Sequence, residues 1–458
     1  MTAVTEEPLA AAVRSADLGL GEQAVRHLQA LLRIDTTNPP GNETGAAEFL
    51  RARFAREGIS ARVFESEPGR GIVYARLRGT GGKGGGAVVL LNHLDVVPAA
   101  DDRWSVDPFG GVIRDGYIYG RGALDAKGVG VAELLAMAVL KRRGVAPGRD
   151  VIFLGTADEE TGGKLGAGWF VENRFDLIAD AEFLLNEGGG IRIEEGRRRY
   201  HVDVAEKAPC WVRLETSGEP GHGSIPRPET AVTRLIRALE RIRRHETEIR
   251  VVPAVQRFFA ALAAGAAPDK AERYLHLAEA LADPDFRREF TGNPLYNALV
   301  RNTISPTVLV GSNKTNVIPG RAVAELDCRL LPGEDPAAFV EELKEVVGDP
   351  EVRFSVLLNF PSLPSDADTE LFRAIERVAA RREPDSPVVP AVVSGFTDSH
   401  YFRRKGVVSY GFTGLAANEE DIRRIHGVDE RVSVTSLREA VQILVEVIEE
   451  LGAVGAPP

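Results

Sequence analysis

The sequence predicts an α/β fold, a mostly parallel sheet flanked by helices, interrupted by a second domain with a different texture. Three observations lead there. Short β-branched apolar runs alternate with helix-period segments through the first two hundred or so residues. After Ala205 that alternation stops, and from Asp366 it resumes. At 458 residues the chain is about three times a ~150-residue domain, so one very large or two ordinary domains are expected. The boundaries read as 1–207 and 363–458 for the two parts of the first domain, with 208–362 inserted between them.

The elements follow in order. Glu22–Ile34 and Thr44–Glu57 carry helix-period apolar residues, and strands are expected at Ile72–Arg78, Val88–Leu94 and Val151–Thr156. From Ala126 to Arg142 apolar side chains fall on nearly every turn (Val129, Val131, Leu134, Leu135, Met137, Leu140), as suits a helix packed on a sheet. In the insert, "CWVRLETSG" reads as a strand, Thr230–His245 as a long basic helix and Val252–Leu281 as an Ala-rich helical stretch. Strands follow near Thr307–Val310 and Ala322–Leu330. "TELFRAIERVAARR", "GVVSYGF" and "VTSLREAVQILVEVIEELG" then bring the chain back to the first domain. The glycine-rich Gly79–Gly86 reads as a flexible loop.

Composition excludes several functions. With 44% hydrophobic and 27% charged residues the chain is globular, and without a run of eighteen apolar residues or an export-like N-terminus neither a membrane span nor secretion is expected. A net charge of −11 argues against nucleic acid or an anionic membrane as partner. The two cysteines, Cys210 and Cys328, are too few for a disulfide framework. They read as small buried apolar residues and suit a reducing cytoplasm.

The chemistry sits where apolar segments break. "VVLLNHLDVVPA" ends a buried strand with His93 and Asp95, and in α/β sheets ligands bind beyond the carboxyl ends of strands. Side chains two apart in extended backbone share a face, so Asp95 can accept one imidazole N–H and present the other nitrogen to a metal. The alternative is a histidine that merely ends a strand. "YGRGALDAKG" sets Asp125 among glycines where a helix begins, either as a ligand or as a helix N-cap. "TADEETGG" places Glu159 beside Glu160; in extended backbone one can ligate while the other faces an activated water, unless the run is a solvated acidic turn. "AEFLLNEGGG" ends in Glu187, and "RRIHGVDERV" sets His426 before a glycine. Imidazole and carboxylates without thiolate, with one carboxylate shared, suit two zinc ions, for which Mn2+ or Co2+ could substitute. Two such ions would activate a water and polarise a carbonyl.

These motifs, with "TTNPPGNE", "WSVDPFGG", "GHGS", "TNVIPG" and "TDSHYF", resemble the dizinc amidohydrolases that include aminoacylase, carboxypeptidase S and succinyl-diaminopimelate desuccinylase. The stretch "WSVDPFGGVIRDGYIYGRGALDAKG" and the long insert are closest to the carboxypeptidase S branch. The resemblance implies a zinc-peptidase-like catalytic domain and an inserted α+β lid and dimerisation domain. It implies that Asp125 bridges two zinc ions, Glu187 joining His93 on one and Glu160 joining His426 on the other. It makes Glu159 the general base, Asp95 the residue behind His93, and the Asp125–Ala126 peptide bond cis. In the lid, His222 would stabilise the oxyanion, commonly in the partner subunit's site. Asn316 and Arg329 would hold the substrate carbonyl and carboxylate, and Gly395 would offer a backbone contact. The other histidines (His27, His201, His245, His276, His400) have no such context, although His400 stands where relatives often carry arginine.

The activity implied is hydrolysis, by metal-activated water, of an amide next to a free carboxylate, as in an N-acyl-amino acid or short peptide. A desuccinylase or N-acyl-amino acid synthase on the same scaffold, or a metal-binding protein without turnover, are the alternatives. Retention of Glu159 argues against the last, because a binding protein needs no base. A serine hydrolase is disfavoured because no Gly-x-Ser-x-Gly elbow occurs.

Overall fold

The computed structural model describes residues 7–81, 85–99, 103–144, 146–194 and 196–453, so the centre of the expected glycine loop, 82–84, lies outside them. The chain divides into two compact units. One comprises Met1–Val204, Ser365–Val389 and Thr397–Pro458, the other Ala205–Pro364 and Pro390–Phe396.

The first unit is built on the large mixed sheet. Its centre is four parallel strands in the order Val151–Thr156, Ala87–His93, Ala181–Asn186 and Val408–Gly411. Antiparallel pairings extend it on both sides. Ala87–His93 and Val151–Thr156 are buried along their whole length, which explains why they read as continuous apolar runs rather than alternating ones. The helix Lys127–Arg142 packs on this sheet and is buried almost all round. Two charged residues share that burial and find partners: Lys127 Nζ donates to the Ile34 carbonyl at 2.8 Å, and Glu133 accepts from Asn92 Nδ2 at 2.7 Å. Three helices predicted at the ends of the chain form as Glu7–Leu32, Thr44–Arg56 and Val434–Ala453.

The second unit is a four-stranded antiparallel sheet, in the order Thr303–Val310, Arg321–Leu330, Ala208–Ser217 and Arg353–Asn359. Helices Ala231–Arg244 and Pro336–Val347 pack on it. Residues along Arg321–Leu330 alternate in burial, so one face supplies the core. Cys210 and Cys328 face each other in register within that core, both fully buried. Thr230 caps the first helix through a reciprocal box with Thr233. The Ala-rich stretch is not continuous: it forms Pro253–Ala263, Pro268–Leu275 and Leu277–Ala280, because Pro268 starts a new helix where its missing N–H costs nothing. Phe259 is the hub of an aromatic cluster there, with the rings of Phe258, Tyr274, Phe290 and Tyr296 at 5.0–5.1 Å. Among the described residues no helix is long and apolar enough to cross a membrane.

Candidate metal centre

His93 is the last residue of its strand and 1% exposed. Its Nδ1 stands 2.9 Å from the backbone carbonyl of Asp95 and 3.5 Å from the Asp95 carboxylate. The carbonyl is the nearer acceptor for Nδ1, with the Asp95 carboxylate standing behind it. With Nδ1 engaged there, Nε2 is the nitrogen that faces Asp125 and would meet a metal. The Asp95 carboxylate has another task. Its two oxygens accept the backbone N–H groups of Glu159 and Glu160, each at 3.1 Å, and one also accepts from Asn38 Nδ2 at 2.8 Å.

Glu159 and Glu160 do not lie in extended backbone as the sequence suggested. They sit on a 3-10 turn, Glu159–Thr161, entered through Asp158 in the left-handed region at φ 72°. Asp158 holds that conformation by accepting from Arg70 at 2.9 Å, Thr161 Oγ1 at 2.6 Å and the Leu165 N–H at 2.8 Å. The two carboxylates still diverge. Glu160 Oε2 lies 3.2 Å from His426 Nε2 and groups with His93 and Asp125, whereas Glu159 groups with His93 and Glu187, each set within 4.8 Å.

Asp125 is not a helix cap, for Ala126 occupies that place and no side chain caps it. One Asp125 oxygen lies 2.8 Å from His93 Nε2 and the other 3.0 Å from His426 Nε2. The Asp125–Ala126 peptide is cis. Sequence reasoning overlooked what holds this loop: buried Glu430 accepts the N–H groups of Leu124 at 2.9 Å, Asp125 at 3.1 Å and Gly122 at 3.2 Å, and pairs with Arg121 at 2.8 Å. An acid four residues after His426, in "HGVDE", was the available signal. Glu187 follows its strand and lies 3.4 Å from His93 Nε2.

These residues fit a pair of divalent cations. Ligands about 2.0–2.1 Å from a tetrahedral zinc stand roughly 3.3 Å apart, and the imidazole–carboxylate separations here are 2.8–3.4 Å. Glu160 Oε1 is buried without a hydrogen-bond partner. Burial and the neighbouring Glu187 push Glu159 well above the usual carboxylate range. Burial likewise lifts Glu187 to about 7. His426 rises to about 10 because Asp125 and Glu160 face it. A donor-rich, acid-crowded pocket of this kind calls for added positive charge.

The remaining predicted residues belong to the second unit. His222 lies in a two-stranded ribbon, Gly221–His222 against Val317–Ile318, and is exposed. Its Nδ1 accepts the Ser224 N–H at 3.2 Å, so the neutral ring carries its proton on Nε2. The Gly223 N–H bonds the Asn316 carbonyl at 2.8 Å, which sets Asn316 beside His222. Arg329 already has a carboxylate. Its Nε and Nη2 bind both oxygens of Asp327 at 2.7 and 3.1 Å, its Nη1 is buried without a partner, and Phe396 and Trp211 cover its faces. At Gly395 nothing lies within 4 Å of where a Cβ would stand. His400, in the first unit, is buried, with Nδ1 2.9 Å from the Thr397 carbonyl.

An α/β unit that brings a strand-end imidazole and a loop imidazole to one carboxylate suits a metallohydrolase of the two-cation kind. Residues 89–450 match the model of peptidase family M20/M25/M40, and the chain belongs to that family. It is 32% identical over 390 residues to the N-fatty-acyl-amino acid synthase/hydrolase PM20D1 of Xenopus tropicalis, covering 81% of this chain and 73% of that one. To human aminoacylase-1 it is 27% identical over 433 residues, covering 93% and 95%. In fold it is similar to the M20 metallo-carboxypeptidase Sso-CP2 of Sulfolobus solfataricus, with a TM-score of 0.73, 19% identity and coverage of 94% and 99%. The chain is thus a hydrolytic enzyme of a family that includes dinuclear metal-binding peptidases.

Proposed function

We propose that the enzyme hydrolyses an amide bond next to a free carboxylate, in an N-acyl-amino acid or short peptide. The observation that carries this reading is Asp125 set between His93 and His426, with Glu159 beside the first of these. His93, Asp125 and Glu187 would hold one cation, and His426, Asp125 and Glu160 the other, with zinc as the metal the donors suit best. When bound, the pair lowers the pKa of a water and polarises the amide carbonyl. Glu159 accepts the proton of the attacking water on its carboxylate and delivers it to the leaving amine. Asp95 keeps that carboxylate in place through the backbone of the turn. His222 donates its Nε2 proton to the oxyanion, assisted by Asn316. The names of two relatives, a fatty-acyl-amino acid synthase/hydrolase and an aminoacylase, support acyl-amino acids as the substrate class. Because one is a synthase as well, the reverse condensation is the second reading.

A homodimer formed through the second unit completes the proposal. Its edge strand Thr303–Val310 exposes Val308, Leu309 and Val310, the kind of apolar edge that pairing with a twin would cover.

The test is a panel of N-acyl-amino acids and dipeptides assayed for released amine, alongside metal analysis. Turnover with two zinc ions per chain is expected. Full activity with a single tightly bound ion, or no amide cleaved by the fully loaded protein, would overturn the reading.

A further inference from the structure

Behind the turn that carries Glu159 and Glu160, within the first unit, lies a buried polar cluster of Asn38, Glu43, Arg70, Asp95 and Asp158. Three of the five are carboxylates and one, Arg70, is a cation. Its Nη2 donates to Asp158 Oδ1 at 2.9 Å and stands 2.9 Å from Glu43 Oε1, while Nη1 donates to the Pro40 carbonyl at 2.9 Å. The chain closes tightly over this guanidinium: a Cβ on Gly41, which has φ 81°, would stand 2.4 Å from it. Burial and the neighbouring Asp95 push Glu43 up to about 7 even with Arg70 pulling the other way, so the cluster has no positive charge to spare. Two routes lead from Arg70 to the turn. The direct one is Asp158, whose left-handed backbone starts it. The other runs through the loop: Arg70 holds Pro40, and two residues earlier Asn38 Nδ2 donates to Asp95 Oδ2 at 2.8 Å and to Thr161 Oγ1 at 3.2 Å, while Asp95 accepts the Glu159 and Glu160 N–H groups.

Resting on the amide-hydrolase reading above, we propose that Arg70 is a positioning residue for the reaction: by clamping Asp158 and the Pro40 carbonyl together it aims Glu159 at the attacking water and Glu160 at its cation. Arg70 touches neither substrate nor metal ligand, and acts through Asp158 on one side and through Asn38 and Asp95 on the other. The planar fork is what the task needs. A lysine ammonium carries the same charge on a single point and cannot span Asp158 and Pro40 in one plane, so geometry as well as charge is required.

The experiment measures kcat, KM and zinc affinity, with hydrolysis of N-acetyl-amino acids as the assay, in wild type, Arg70→Lys, Asp158→Asn and the two combined. In folded Arg70→Lys at saturating zinc, kcat should fall about 10–100-fold with KM within about threefold of wild type, and the weaker of the two zinc sites should lose about tenfold in affinity as Glu160 shifts. Asp158→Asn keeps a residue that accepts left-handed backbone but turns one acceptor oxygen into a donor, and it should lose kcat to a similar extent. Because both act along one path, the double variant should be little worse than the poorer single one. Should Arg70→Lys fail to fold, Arg70→Gln with Glu43→Gln removes opposite charges together and is judged by the same criteria. Wild-type kcat in the folded variant with only the unfolding midpoint lowered, or single losses that multiply in the double, would make Arg70 a structural ion pair and overturn the proposal. If wild type cleaves no amide, the functional reading fails on its own, and an unchanged zinc affinity in Arg70→Lys then rejects the positioning role.

Discussion

Glu159 and Glu160 are chemically identical neighbours, and their roles differ only through where the turn sends them. Glu160 reaches His426, and its second oxygen is buried without a partner. Glu159 stands with His93 and Glu187, held by an N–H bond to Asp95. The expected outcome for Glu159→Gln follows. The amide keeps size and hydrogen-bonding reach but cannot take a proton, so both metals and the fold should remain while turnover falls by about 10²–10⁴-fold. Metal analysis alongside kcat checks it. A variant that sheds zinc would show that Glu159 is a ligand and that the two glutamates have been interchanged.

At the scale of elements, what places that turn is a close approach of backbones. A Cβ on Gly166, in the π-helical segment Lys164–Gly168, would stand 1.7 Å from the Ala157 carbonyl oxygen, just ahead of Asp158. Gly166→Ala must therefore push the two segments apart. We expect a loss of about 1–3 kcal/mol in stability, together with reduced activity as the Glu159–Glu160 turn moves. Denaturant unfolding and the acyl-amino acid assay measure the two effects, and a fully stable, fully active variant would refute the argument. This contact was invisible in the sequence, where Gly166 is one of many glycines. What was legible there had local causes: Val151–Thr156 and Ala87–His93 announce themselves as strands because both faces are buried, and ligand candidates stand where those runs stop. What was not legible depends on partners far along the chain. Glu430 anchors a loop some three hundred residues before it, and the 3-10 geometry of Glu159 needs Arg70 behind Asp158. The helical insert broke at Pro268 for a reason the sequence did display, one outweighed by its alanine content.

For the whole molecule the open question is which chain's His222 serves which metal centre. His222 is exposed on a short ribbon with its Nδ1 occupied by Ser224, so its Nε2 proton is offered outward. If two chains pair through the Thr303–Val310 edge, each site would combine one chain's Glu159 with its partner's His222. That arrangement makes a quantitative prediction. Glu159→Gln and His222→Ala homodimers should each be nearly inactive, since every site lacks either the base or the oxyanion donor. In a mixed dimer, one site lacks both groups and the other has both. With free exchange of equal amounts, about half the dimers are mixed and each carries one intact site of two, so roughly a quarter of wild-type activity should return. Co-expression of differently tagged variants, purified through both tags, isolates the mixed species and should give about half of wild-type activity per dimer. If demonstrably mixed dimers recover nothing, His222 does not complete the partner's site, and the shared centre is excluded. A chain that stays monomeric in sedimentation while fully active would exclude it as well, since the same edge would then be unpaired in the working enzyme.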